Sequence, residues 1–209
     1  MDHFTKIAII GGTGTVGRHI ATRSIQQGYH VRMLVRNPER VSYKHDKIEI
    51  VQGQIQEIEN IRELLKDCKV VINTFGQPTK EKPIYSQVTK NILDVMTELN
   101  ITRYLSVSGG SLTISGDNKR MLNRFGAKLF ELLFPEMMED KKAEWELLSK
   151  YKHIQWTMIR LPFVIDSLKT KESLTDMPGT KITNQDIATF IMEHVENTKY
   201  IHKAPFISH

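Results

Sequence analysis

The chain has 209 residues, 40% hydrophobic and 25% charged, with a formal net charge of +5, enough for one domain spanning 1–209 around a single core. Its basic residues alternate with acids and no aromatic platform interleaves with them, which argues against a nucleic-acid partner. A single cysteine, Cys68, cannot form an internal disulfide; together with the lack of a charged-then-apolar leader or an apolar run of roughly 18 residues, this leads us to expect a cytoplasmic protein with no membrane partner.

Near the start, Lys6 to Gly28 reads KIAIIGGTGTVGRHIATRSIQQG. Ile7, Ala8, Ile9 and Ile10 form a continuous apolar run, as in a strand buried on both faces of a parallel sheet. After the turn, Val16, Ile20, Ala21, Ser24 and Ile25 recur at helical spacing, and Gly28 supplies a stop. Between them Gly11, Gly14 and Gly17 repeat every third residue. That spacing permits a sharp turn, a close approach to a pyrophosphate and tight helix-on-strand packing, with phosphates on the amides of the helix N-terminus. Gly11, Thr13, Gly14, Thr15, Val16 and Gly17 are therefore the first cofactor-binding candidates.

Further strands are expected at 31–35, 48–51, 70–75, 104–108 and 156–160. Helices are expected over Asn60 to Lys66, along Ile84 to Leu99, and over Lys141 to Tyr151. This βαβ rhythm predicts an α/β fold, a Rossmann-type doubly wound parallel sheet with helices on both faces. Ligands then bind beyond the C-terminal strand ends, at the switch point between the first and fourth strands.

The strand ends carry the chemistry. After the second strand stand Arg36 and Arg40, where an acid would hold a ribose hydroxyl; arginines pair instead with a 2′-phosphate, so NADP(H) is favoured over NAD(H). Arg18 adds to this charge. The alternative is that these arginines merely decorate a loop. Gln54 and Ile55 follow the third strand. Asn73, Thr74, Phe75 and Gly76 end the fourth, their backbone expected beside the nicotinamide ribose, with Asn73 alternatively a cap. The fifth delivers Ser106 to Leu112, a loop rich in hydroxyls and glycine. None of the histidines is paired at metal spacing, so no metal site is expected.

GGTGTVGR, VSGGSL, IQWTMIRLP and the tail from Lys181 to Ser208 together resemble the NmrA-like atypical short-chain dehydrogenase/reductase family, which includes NADH-flavin reductases and biliverdin reductase B-like proteins. The likeness covers nearly the whole chain. It implies that Gln54 replaces an aspartate contacting the adenine, and that Ser108 and Gly109 position the acceptor or the nicotinamide amide. It also implies that Lys142 is the ribose-binding lysine of a Tyr-xxx-Lys dyad whose tyrosine is replaced by Met138. Pro162, Phe163 and Val164 are expected to close the nicotinamide pocket. Ser108 and Lys142 are thus the catalytic candidates.

Residues 111–140 form a long insertion rich in Met, Leu and Phe, which reads as a lid or substrate segment. The plainer reading makes Leu122, Phe125, Leu129 and Leu132 the core face of an extra helix. Without the tyrosine, ordinary alcohol dehydrogenation is disfavoured, whereas hydride transfer to a flavin needs no protein acid. The expected function is therefore an NAD(P)H-dependent reductase acting on a flavin, quinone or similar planar acceptor. Two alternatives stay open: a non-catalytic redox sensor that binds NADP and reports to a protein partner, and an enzyme like the nucleotide-sugar epimerases and dehydratases.

Overall fold

The computed structural model describes residues 5–41, 44–78, 81–114, 117, 121–166 and 180–209, without the side chains at 40 and 121–125. The first half runs β1 (Lys6–Ile10), α1 (Gly17–Gln26), β2 (His30–Val35), β3 (Ile48–Gln52), α2 (Ile58–Leu65) and β4 (Val70–Asn73). The second half runs α3 (Tyr85–Glu98), β5 (Arg103–Gly109), α4 (Met121–Leu133), α5 (Pro135–Lys150) and β6 (Gln155–Leu161). A short parallel pair, β7 (Phe163–Ile165) and β8 (Lys181–Thr183), then leads into α6 (Asn184–Glu193).

β1 to β6 form one parallel sheet in the order β3-β2-β1-β4-β5-β6. The order reverses between β1 and β4, which is the switch point expected from the sequence. This is the Rossmann-type doubly wound fold. Side-chain alternation along β1 divides the core in two. Ile7 and Ile9 face α1 and α6, where they meet Ile20, Ile187 and Ile191. Ala8 and Ile10 face the other layer, with Ile61, Ile92 and Leu148 of α2, α3 and α5.

Several element boundaries differ from expectation for local reasons. β4 ends at Asn73 rather than at residue 75, because the Asn73 carboxamide turns back to accept the Phe75 amide at 2.9 Å while its Nδ2 donates to the Tyr104 hydroxyl. Asn73 is thus a cap. α5 begins six residues early, at Pro135, a residue that suits the first helical turn. α6 starts at a true cap: the Thr183 hydroxyl accepts the Asp186 amide at 3.2 Å.

Across the β3 edge, Glu49 accepts hydrogen bonds from Lys6 of β1 and Arg32 of β2, each at 2.7 Å. Burial opposes ionisation of Glu49, but these two cations win and hold its carboxyl below the usual range. Cys68 is buried, and burial pushes its thiol up to about 12.

Candidate cofactor and acceptor site

At the C-terminal tip of β1 the three glycines take separate tasks. Gly11 has φ of 75°, and a Cβ there would lie 2.6 Å from the Thr74 carbonyl oxygen. A Cβ on Gly17 would stand 2.2 Å from the Gly11 carbonyl oxygen, so only glycine lets α1 close on the turn. Gly14 is less confined by the protein: its Cβ would meet a single atom, the Gly11 oxygen, at 3.1 Å. Its amide donates to that same oxygen at 2.9 Å, which shapes the loop.

A cleft of about 460 Å³ opens over this turn. Gly14, Thr15, Val16 and Gly17 line it at the start of α1, where helix amides lack partners within the helix and favour an anion. Thr13 and Gly11 complete the rim. Thr74 anchors the opposite wall, its hydroxyl and amide both donating to the Ile10 carbonyl, at 2.8 and 3.0 Å. The arrangement fits the pyrophosphate of a dinucleotide, since the start of α1 borders the cleft and the crowded glycines let the turn close against α1 and Thr74.

Arg36 follows β2 directly, lines the cleft, is exposed, and makes no ion pair among the described residues. The Arg40 side chain lies outside the described residues. Arg18 turns away: its guanidinium pairs with Asp166 beyond β7, at 2.6 Å, so it adds no charge to the cleft. Ile55 lines the cleft but Gln54 does not; the wall is completed by Gln56. The Gln54 backbone carbonyl accepts from Asn60 Nδ2 at 3.2 Å at the start of α2, and the residue is exposed.

A second cleft, of about 320 Å³, adjoins the first and shares Thr74, Phe75, Gly76 and Val107 with it. Ser108 and Gly109 of β5 line its floor, and the Ser108 hydroxyl is buried with no hydrogen-bond partner among the described residues. A buried unpaired hydroxyl is costly and marks a place where a ligand group belongs. Phe130, Met137 and Met138 from α4 and α5 supply an apolar wall, with Leu112 beside them.

Two expected residues are placed differently. Lys142 points to the surface, where its ammonium pairs with Glu131 at 2.5 Å, and it does not line the cleft. Lys141 does line it, with its ammonium 2.8 Å from the buried Glu144 carboxylate. The inward face of α5 carries Met138, Glu144 and Leu148, and Lys141 belongs to that stripe. Both Met137 and Met138 face the cleft, so neither lysine has a tyrosine one turn before it. Phe163 is 76% exposed, whereas Pro162 and Val164 line the cleft, because neighbouring residues of an extended strand point to opposite sides.

The extra helix also differs from the core-face reading. Leu129 is 48% and Leu132 78% exposed, because α4 packs on α5 through its Ala127 side and turns these leucines outward. The side chains of Met121, Leu122 and Phe125 lie outside the described residues.

Arg160 is a residue whose importance the sequence conceals. From β6 it grips Asp117 with two hydrogen bonds, of 2.6 and 2.7 Å, and donates to the Leu112 and Ala204 carbonyls. It lies 3.7 Å from the Phe206 ring centroid. The acceptor-side loop is thereby tied to the C-terminal segment. Only its company of Asp117, 43 residues away, reveals the role.

No group of three or more His, Cys, Asp or Glu side chains that could hold a metal occurs among the described residues. No helix among them is long and apolar enough to cross a membrane.

The chain is similar to the photosystem II assembly factor Ycf39 of Cyanophora paradoxa, 29% identical over 108 residues, covering 49% of this chain and 34% of that protein. It is 37% identical over 81 residues to a phenylcoumaran benzylic ether reductase of Ginkgo biloba, covering 34% of this chain and 26% of that one. The matched stretches thus span about a third or less of those relatives. In fold it is similar to a short-chain dehydrogenase/reductase of Veillonella parvula solved with NADP, with a TM-score of 0.74, 14% identity, and coverage of 99% of this chain and 95% of that one. The family model described as NAD(P)H-binding matches residues 11–198. With its glycine cradle and parallel sheet, this chain belongs to the NAD(P)H-binding family, of the NmrA-like atypical short-chain type.

Proposed function

We propose that this chain is an NAD(P)H-dependent reductase that passes hydride to a planar acceptor such as a flavin or a quinone. The observation that carries the reading is the second cleft, continuous with the cofactor cleft along Thr74 to Gly76 and walled by methionine and aromatic side chains. Such a lining suits a flat conjugated ring, held by shape and dispersion. A bound NAD(P)H supplies the hydride. Gly11, Gly14 and Gly17 admit its phosphates; Arg36 pairs with a 2′-phosphate and so favours NADP(H); Ser108 offers its hydroxyl to the nicotinamide amide or the acceptor. Lys141, which lines the acceptor cleft where Lys142 does not, takes the role expected of Lys142. α4 and the start of α5 cover the acceptor as a lid.

The test is steady-state NADPH consumption by the purified protein against FMN, riboflavin and quinones. Acceptor-dependent turnover above the uncatalysed rate supports the reading. Micromolar NADPH binding with no turnover on any acceptor would replace it with the sensor reading.

A further inference from the structure

Tyr85 opens α3 at the seam between the two clefts. Its side chain is buried at the acceptor cleft wall and meets the Phe75 ring edge-on, with centroids 5.5 Å apart. The Lys141 ammonium lies 3.5 Å from the Tyr85 ring centroid. The phenol oxygen accepts the Gln77 amide proton at 3.4 Å, while the phenol's own proton meets no acceptor among the described residues.

The pair is held firmly. The Asp140 carboxylate accepts the Tyr85 amide at 2.6 Å and also takes the Ser86 hydroxyl, which fixes the first turn of α3 against α5. Glu144 holds Lys141 and accepts the Thr89 hydroxyl at 2.8 Å. The charged groups facing Tyr85 are therefore Lys141, Asp140 and Glu144, all from α5. Burial, with some help from the two carboxylates, raises the phenol above its ordinary value, so it carries its proton at neutral pH.

Resting on the reductase reading, we propose that Tyr85 is the proton donor of the acceptor site, and that the acceptor it serves is a quinone or dicarbonyl whose oxygen must be protonated. Hydride addition leaves an electron pair on that oxygen. The O–H bond of Tyr85 breaks as the new O–H bond forms, the hydroquinone or alcohol departs, and solvent returns a proton to the phenolate. One acceptor, one NAD(P)H and one proton give the reduced acceptor and NAD(P)⁺. Lys141 stabilises the transient phenolate from the ring face, and the Gln77 amide from the oxygen. α3 thus provides the acid that α5 lacks.

The experiment compares wild type, Tyr85→Phe and Lys141→Met, each as the full chain, with phenanthrenequinone and with riboflavin, whose reduced ring spreads its charge and takes its proton from solvent. Tyr85→Phe keeps the ring and its packing. It should lower kcat with the quinone by about a hundredfold, at least about tenfold more than it lowers riboflavin turnover. An independent readout is the phenolate absorbance band: its difference between wild type and Tyr85→Phe isolates this phenol, which should ionise at higher pH when Lys141→Met removes the ammonium. Undiminished quinone turnover in Tyr85→Phe, or equal losses with both acceptors, would overturn the proposal while the reductase reading stands. Absence of wild-type turnover with either acceptor would remove the reductase reading and the proposal together.

Discussion

The Gly11 carbonyl oxygen points at the Cα of Gly17 so closely that a methyl group there would stand 2.2 Å away. This contact joins the phosphate turn to α1, and it makes the glycines separable by experiment. Gly17→Ala should destabilise the fold by about 1–3 kcal/mol through overpacking. Gly14→Ala, limited by one contact at 3.1 Å, should stay within about 1 kcal/mol of wild type yet weaken NADPH at least about tenfold, because its methyl enters the space for the pyrophosphate. Urea unfolding and titration calorimetry measure the two effects; equal losses of stability would show that the cradle is misread.

Arg36 lines the cofactor cleft and makes no ion pair among the described residues. Arg36→Ala should weaken NADPH by about tenfold or more, the worth of one charge-assisted contact, and leave NADH almost unchanged. Fluorescence titration of both cofactors decides this. Equal wild-type affinities for NADPH and NADH would remove the 2′-phosphate role.

Glu49 links three strands and its carboxyl is held below the ordinary 4.5. A group with a depressed folded value adds stability above its unfolded value and loses it as pH falls through the folded one. The side chain is 44% exposed, so solvent screens the pair and Glu49→Gln should cost only about 0.5–1 kcal/mol at neutral pH. That difference should shrink below pH 4.5 and vanish once the wild-type carboxyl is protonated. Urea unfolding of both proteins across this range checks the sign, and a pH-independent difference would contradict it.

Alternation along the strand after Pro162 gives an internal control. Val164→Asp puts an unpaired charge in the acceptor cleft and should reduce acceptor turnover by about tenfold or more. Phe163→Asp points into solvent and should change turnover by less than about twofold. The reverse order of effects would mean that the cleft wall is wrongly assigned.

Much of this was legible in the residues themselves. β1 and the apolar part of β4 declare themselves because strands buried on both faces read as unbroken apolar runs, and the glycine turn is a local backbone requirement written at fixed spacing. What the sequence hid depends on rotation and on distance. Lys141 and Lys142 differ by about 100° around α5, so a one-residue choice moves the ammonium from the acceptor cleft to the surface. β7 and β8 are three residues each, too short for alternation to mark, so nothing in the sequence separates Phe163 from Pro162. Tyr85 and Lys141 come together where Asp140 and Glu144 tie α3 to α5, and no local pattern announces a meeting between residues so far apart.

The placement of Cys68 under α2 has a further consequence. A thiol buried and shifted to about 12 holds almost no thiolate at neutral pH, so thiol-alkylating reagents find little to attack in the native chain. A thiol-based redox response through Cys68 is therefore disfavoured. The same inertness offers a blank background for labelling: one cysteine introduced at Leu132, 78% exposed on α4, would be the sole reactive handle, and a dye there would report directly on whether that helix shifts when nucleotide binds.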